Sequence, residues 1–529
     1  MKKIVALLLA VLMLLTLLAS CAEEPVKKKK KKDTDEDTQT ATEETLSMEE
    51  TLSMEESASQ EFPGGSAGII EEEDLSARYT AEVKDLGGHE FRFYVKTSTS
   101  QHLDTKEIYA EAPTGDKIND AVYERNSQLE AKYNCTIIEE RGAGSVSSYL
   151  RDPLIAGEYV CDYVFSSPKD LANLATKNLL VDFNEVSNLD LTKTWWDPQS
   201  LDGMNIGGKT FYLAGSASNL DDIAAWIMAF NKDYVREYDS SIDLYREVRY
   251  GKWTVDRMYE IMSHTWKDLN GDGVMTVGTD RFGYIADSGA NYAHILSCGA
   301  MVPEISSNGD IYIPDQPNQK VMDVWAKLKP LLTSYYRDVS DAPTRLRAGY
   351  GTFTACNMGA VVMKAGQSQV PMGILPMPKY SEAQEHYYTS VSYNIAGCFA
   401  IPTTVQNSND YASNGFNSGA EQAAYFLEAF GYYSMIILEP AFYDEVIIKQ
   451  NATDTSSAEM VEIALSHKIY DPVSGFGWGS LTSAFAECGN GEPYQPSTDV
   501  NYENLVSTYT ARVQSARKQM NQYIQAINP

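Results

Sequence analysis

HEFRFYVK (residues 89–96), NDAVYERNSQLEAKY (119–133) and CTIIEE (135–140) decide the fold class of this chain. In 89–96 apolar and polar side chains alternate, the period of a half-buried strand. Residues 119–133 repeat their apolar positions at helical spacing, and 135–140 return to strand. Tyr159 to Ser166 adds a short strand of the fully buried kind. Strand, helix, strand, helix, strand in succession predicts an α/β unit with a largely parallel sheet. The same rhythm resumes at Ala224 to Asn231 and continues past Met301 through Val361 to Met363, Gly373 to Pro378 and Ser392 to Ile401. From Ala420 the pattern turns mostly helical.

Composition bounds the rest. A chain of 529 residues, 43% apolar and 11% aromatic, is too long for one compact domain, so two lobes are expected. The formal net charge is -30, and residues 22–80 alone hold 17 acidic against 7 basic side chains. With +2 in the first 21 residues, the remaining chain carries -22. Nucleic acid is excluded as a partner, because its phosphates require a basic face.

The N-terminus fixes a location. Lys2 and Lys3 precede an apolar run from Ile4 to Leu17, and Leu18-Ala19-Ser20-Cys21 follows. This resembles a bacterial lipoprotein signal (1–21) with its lipobox, which implies export, lipidation at Cys21 and anchoring at the extracellular face of the cell membrane. The apolar run falls short of the roughly 20 residues that span a bilayer. Residues 22–80 read as a disordered acidic tether with a tandem TLSMEE at 45–56. The lysine run 27–32 either holds the tether against anionic headgroups or is a solvated charge run. Gly64-Gly65-Ser66-Ala67-Gly68 formally matches a hydrolase nucleophile turn but sits in the linker, without the strand and helix that turn needs. Cys135, Cys161, Cys298, Cys356, Cys398 and Cys488 show no metal spacing; up to three disulfides are open to them, and none is expected.

Ordered features then carry a family resemblance over roughly residues 85–510. They are Tyr123-Glu124-Arg125-Asn126, Trp195-Trp196-Asp197, Gly207-Gly208-Lys209, Phe230-Asn231-Lys232, Tyr245 with Gly251-Lys252-Trp253-Thr254, the acidic loop Asp268 to Asp280, and Leu375-Pro376-Met377-Pro378-Lys379-Tyr380. Together they resemble the extracellular solute-binding proteins of ABC importers, carbohydrate-type group. The resemblance implies a bilobal, periplasmic-binding-protein-like fold, two α/β lobes joined by a multi-crossing hinge with a helical C-terminal part. By that analogy the crossings lie near 214–222, 348–352 and 389–394. Lobe 1 would be 85–215 plus 352–388, and lobe 2 would be 222–348 plus 395–529. The implied function is capture of a carbohydrate, an oligosaccharide by expectation, for an ABC permease by a monomer that is no enzyme. The alternatives are another solute such as a peptide, a secreted glycan-active enzyme, or a purely structural surface lipoprotein.

Two sets of residues carry candidate chemistry. Asp268, Asn270 and Asp272 stand at positions 1, 3 and 5 of an EF-hand-type loop with Gly273 at 6, and Val274 would offer its carbonyl. The closing acid, Asp280, falls at 13 rather than 12, so structural Ca²⁺ or a turn held by Asn-Gly and Asp-Gly chemistry are both open. Sugar rings present apolar faces rimmed by hydroxyls, which suits aromatic platforms with a few polar partners. Trp195, Trp196 and Trp478 lie in Asp/Gly/Ser/Pro-rich loops and, with Trp226, are expected to face ligand; Trp253 and Trp325 sit at helical spacing and are expected in the core. Asp197, Asn219, Asp221, Asp222 and Tyr393 are the expected polar partners by position. The six histidines form no metal-ligand pair, and Gly475 to Gly479 reads as a flexible loop near the cleft.

Overall fold

Alternation in residues 89–96 buries one face of a strand. In the computed structural model β1 (His89–Lys96) buries Phe91, Phe93 and Val95 completely. The structure describes residues 79–528 except 98–104, 143, 277, 307–308, 334–340, 363–366, 409, 452–455 and 490–501. Cys21 and residues 22–78 of the expected tether lie outside the described residues. All of the described residues belong to one compact unit, Gly64–Pro529.

Helix α1 (Lys117–Tyr133) starts where the Asp116 carboxylate accepts the Asn119 N–H at 3.0 Å. It stops where Asn134 turns left-handed at φ 50°. Val122, Arg125, Asn126, Leu129 and Tyr133 form its buried face, at the spacing the sequence shows. β2 (Cys135–Gly142), α2 (Val146–Ile155), β3 (Tyr163–Ser166) and α3 (Pro168–Ala175) complete the first βαβαβα run. Next come β4 (Trp226–Asn231), α4 (Val255–Thr265), β5 (Phe282–Tyr284), β6 (Gly351–Asn357) and β7 (Met372–Pro376). The chain continues through β8 (Thr389–Ser390), β9 (Cys398–Ala400), α5 (Gly419–Tyr433), α6 (Glu439–Asn451), α7 (Ser456–Leu465), β10 (Lys468–Ile469) and α8 (Tyr502–Ile527).

Two four-stranded sheets result. In the first, ordered β9-β3-β1-β2, β1 runs parallel to both β2 and β3 while β9 is antiparallel to β3. Helix α5 covers one face, with Phe426 stacked on Phe91 at 3.9 Å and the Tyr163 hydroxyl donating to the Ala423 carbonyl at 2.7 Å. In the second, ordered β5-β6-β4-β7, the apolar WIMAFN of β4 lies between antiparallel β6 and β7. Trp253 and Trp325 are core residues there, Trp253 donating from Nε1 to the Pro376 carbonyl at 3.0 Å.

Segments 213–225 and 391–399 run side by side from one sheet to the other. Leu213 bridges Phe399 at the first sheet and Ala225 bridges Val391 at the second. A third passage is helical: α5 packs on the first sheet, a π-helical turn (Ser434–Leu438) follows, and α7 packs on β7 of the second, with Glu459 pairing with Arg249 of a neighbouring helix at 2.6 Å. β10 then pairs in parallel with β8.

These pairings correct the expected lobe boundaries. Residues 352–388 do not join the first sheet, because Trp226 pairs with Asn357 and Ile227 with Pro376. The crossing expected near 348–352 is likewise absent among the described residues, the third passage running through the π-helical turn Ser434–Leu438 and α6 instead. Part of 395–529 belongs with the first sheet, where β9 pairs with β3 and α5 packs. Val361 and Val362 close a short helix rather than a strand. Periodicity reports which face of a segment is buried and carries no information on the strand it pairs with.

Candidate functional site

The chain leaves β1 for β2 on one side and then returns to β3 on the other, so neighbouring connections diverge at the carboxyl ends of β1 and β3. In open α/β sheets such a switch point is where a crevice opens. A cavity of about 500 Å³ lies there, lined by Lys96, Ser145, Phe165, Ser166, Ser167 and Asp170 from the sheet side. Leu220 and Asn394 to Gly397 of the two crossing segments complete the wall.

Local sequence places these groups. Ser166-Ser167-Pro168 turns strand β3 into helix α3, with proline at the first helical turn, where its missing N–H leaves no bond unmade. Asp170, one turn on, is buried and gathers hydroxyls: Ser145 Oγ donates to it at 2.6 Å, Ser166 Oγ at 3.1 Å and Ser147 Oγ at 3.4 Å. The Lys96 ammonium lies 3.6 Å from Asp170 and donates to Ser167 Oγ at 3.2 Å and the Asn394 carbonyl at 3.3 Å. At the end of the second sheet nearest the crossings, Trp226 opens β4, half-buried, its ring against the backbone of Gly289. A larger cavity of about 810 Å³ beside residues 241–260 is a surface groove of paired charges such as Arg257 with Glu247 at 2.7 Å. Tyr250 lies on its wall, with the Arg246 guanidinium 5.6 Å from its ring.

A second cluster sits on the crossing segments. The Lys468 ammonium meets Asp197 at 2.7 Å, Asp221 at 2.6 Å and Asp222 at 2.7 Å, all of them buried. The Tyr470 hydroxyl lies 2.8 Å from Asp197 and 3.0 Å from Asp221, its single proton shared between the two carboxyls. Burial drives Asp221 up to about 7 against the pull of Lys468, helped by the neighbouring Asp222 and Asp197 charges. Burial opposes the ionised form of Asp197 too, but Lys468 and Tyr470 outweigh it and hold that carboxyl below its usual range. Asp197, Asp221 and Asp222 are thus brought together, around a lysine rather than a ligand. Sequence reasoning missed Lys468 and Tyr470, because nothing near 468 advertises a partner some 250 residues away.

The tryptophan expectations divide. Trp195, Trp196 and Trp478 are 1%, 2% and 3% exposed, so their faces belong to the protein. Trp195 meets Tyr432 edge-on at 5.6 Å, and Trp196 Nε1 donates to Glu428 at 3.0 Å, both partners on α5. Trp478 stacks on Phe476 at 4.7 Å and lies 6.1 Å from Tyr523 of α8. Loop residence does not expose a large ring when a long helix lies over the loop. Gly475 to Gly479 is packed on α8 as well, the Gly479 N–H donating to Gln519 at 2.8 Å. Trp226 is the one expected platform that keeps accessible surface. Tyr393 is buried against Gly475, and Asn219 is buried in the first crossing segment. The signal for the residues actually lining the cavity was the Ser-Ser-Pro turn at the end of a buried-type strand.

In the acidic loop, Asp268 accepts the N–H groups of Gly271 and Gly273 at 2.7 and 2.8 Å, and Asp272 accepts that of Val274 at 2.7 Å. Asn270 accepts the Asp272 N–H at 2.9 Å. Asp280, fully buried, reaches back to the N–H of Leu269 and across to that of Thr276, both at 2.8 Å. The ladder between Lys267 and Arg281 ties the ends together. Among the described residues no three His, Cys, Asp or Glu side chains are grouped as a metal-ligand set. His386 and His467 stack at 3.9 Å, and His89 bridges Asp162 and Asp410. The six cysteines after Cys21 are thiols in the structure, five of them buried. No helix among the described residues is long and apolar enough to cross a membrane.

No protein-family model matches the chain, and no curated protein matches it. Among solved structures it is similar to the GacH receptor of Streptomyces glaucescens, determined unliganded and with acarbose and an acarbose homolog (TM-score 0.46, 12% identity, 83% of this chain and 99% of that one). It is also similar to an ABC substrate-binding protein from Listeria monocytogenes in complex with cycloalternan (TM-score 0.45, 12% identity, 83% and 99% covered).

Replacing Lys468 by methionine strands its buried carboxylates without a counter-charge. The expected loss is about 3–5 kcal/mol of unfolding free energy, measured by urea denaturation. A loss below about 1 kcal/mol, the worth of an exposed ion pair, contradicts the assignment of this cluster as a structural pin.

Proposed function

We propose that this chain is an extracellular solute-binding lipoprotein that captures a carbohydrate, an oligosaccharide, in a cleft between two lobes and delivers it to an ABC permease. The observation that carries the reading is the switch-point cavity whose far wall is made by the crossing segments, so that a solute there touches both the first sheet and the joint to the second. Its wall suits a sugar: three serine hydroxyls, a lysine, a carboxylate and the half-buried Ile395 side chain combine donors, acceptors and an apolar face. Trp226, half-buried beside the Ala225–Val391 bridge of the two crossing segments, is the aromatic platform of this reading. Binding favours the closed arrangement, and no covalent step is involved. The protein acts as a monomer.

A thermal-shift screen against neutral oligosaccharides, with acarbose and cyclic glucans among the probes, tests this, since a ligand bound only to the folded state raises its melting temperature. A glycan hit is expected, with no cleavage product by chromatography. Trp226→Ala is expected to weaken that hit by about 2 kcal/mol, the scale of an aromatic hot spot. Stabilisation by peptides alone rejects the carbohydrate class, and hydrolysis of the hit rejects the binding-protein role.

Structural Ca²⁺ in the acidic loop is part of the proposal. It is supported by the oxygen-rich sequence, by left-handed Gly271 and Gly273 at φ 75° and 80°, and by Asp280 closing on the start of the loop. In this reading Asp280 is the closing ligand, one residue later than EF-hand spacing places it. Each carboxylate oxygen keeps a lone pair beyond its N–H bond. EDTA is expected to lower the melting temperature of the wild type and leave Asp272→Ala unmoved; identical curves with Ca²⁺ and with EDTA mean that hydrogen bonds alone close the loop.

Lipidation at Cys21 completes the reading. Mass spectrometry of the membrane fraction is expected to find a diacylglyceryl-modified Cys21 at the N-terminus, and an unmodified terminus elsewhere rejects it.

A further inference from the structure

The Lys468 cluster gathers more carboxylate than one ammonium neutralises. Asp197 heads the helix Pro198–Met204, Asp221 and Asp222 belong to the first crossing segment, and Lys468 and Tyr470 come from β10 and the residue after it. β10 is paired with β8, at the start of the second crossing. From the third passage α6 brings Tyr443, whose hydroxyl lies 3.5 Å from Asp222, and Glu439. Glu439 Oε2 has no hydrogen-bond partner among the described residues. The Cys398 thiol of β9 faces the same charges. Four carboxyl groups and one lysine therefore meet where all three passages between the sheets converge.

We propose that this cluster is a proton-linked pin on the crossing segments: holding a proton among its four carboxyl groups keeps the joint tight, and losing it loosens the joint and favours an open cleft. This regulation rests on the solute-binding reading above. The physical ground is that four ionised carboxylates against one ammonium leave a net charge of −3 in a water-poor site, which each bound proton lowers by one unit. Burial, against Lys468, places Asp221 near 7, and burial raises Glu439 in the same sense. An unfolded aspartate titrates near 4. Between about pH 4 and about pH 7 the folded chain thus holds a proton that the unfolded chain has released, so this contribution to stability falls as pH rises through that window and is flat above it.

The test compares the mature chain and its Asp221→Asn variant, which mimics the protonated carboxyl, from pH 4.5 to 8. The melting temperature of the wild type relative to the variant is expected to fall as pH rises to about 7 and then level off, cancelling titrations common to both. Small-angle scattering without ligand is expected to show the wild type expanding over the same range and the variant unchanged. A melting difference that depends on pH while the scattering of both proteins stays constant reduces the cluster to a structural ion pair and overturns the proposal. A pH-independent melting difference overturns it as well. If Asp221→Asn does not fold, Glu439→Gln is measured in its place with the same criteria. Failure of every glycan in the thermal screen rejects the carbohydrate reading and leaves the scattering result to decide this one.

Discussion

One ammonium held by three aspartates is the constraint on which the arrangement of this molecule depends. Lys468 reaches Asp197, Asp221 and Asp222 from a two-residue strand that has little else to fix it. Burying an ion costs several kcal/mol, and only the mutual attraction of the four groups, with the Tyr470 hydroxyl set between Asp197 and Asp221, offsets that cost. The partners lie far apart in sequence, so the cluster forms only when both sheets and the segments between them are in place. It acts on specificity of arrangement more than on net stability, because an apolar substitute of the same shape would also pack but would not dictate which segments meet.

The cavity inherits its shape from that joint. Leu220, next to Asp221, and Asn394, a few residues beyond β8, are both wall residues. Any rotation of one sheet against the other moves them relative to Lys96, Ser145 and Ser167, which are fixed to the first sheet. The π-helical turn at Ser434–Leu438 on the third passage is a place where a helix bends without losing its packing on either side.

How much of this was legible in the sequence follows from what periodicity measures. The alternation of 89–96 and the helical spacing of 119–133 reappear as β1 and α1, because burial of one face is a local property. Membership of β6 and β7 in the second sheet was not legible, since their partner β4 lies more than a hundred residues away. The tryptophans failed for a related reason. Trp195 and Trp196 stand in a polar loop, yet α5, more than 220 residues later, lies across them, to the point where a side chain at Gly431 would collide with the Trp195 ring. The three aspartates stand around a remote lysine, and a buried carboxylate and a ligand-facing one leave the same trace in sequence when the balancing lysine is remote. The acidic loop was legible because all its partners lie within thirteen residues, and Asp280 closes it as hydrogen-bond acceptor for Leu269 and Thr276.

The charge balance of the cavity sets what it selects. Lys96 and Asp170 oppose each other across the wall, and three serine hydroxyls already donate to Asp170. An anionic solute would have to compete with Asp170 for Lys96, and a cationic one with Lys96 for Asp170; either exchange leaves one of the pair short of a partner in a partly dry site, which costs more than the new contact returns. A neutral solute rich in hydroxyl groups disturbs neither. Its hydroxyls accept from Lys96 and donate to serine oxygens whose lone pairs remain available, while its apolar faces lie against Ile395. Under the proposed carbohydrate reading, discrimination between sugars then lies in the number and direction of their hydroxyls rather than in charge.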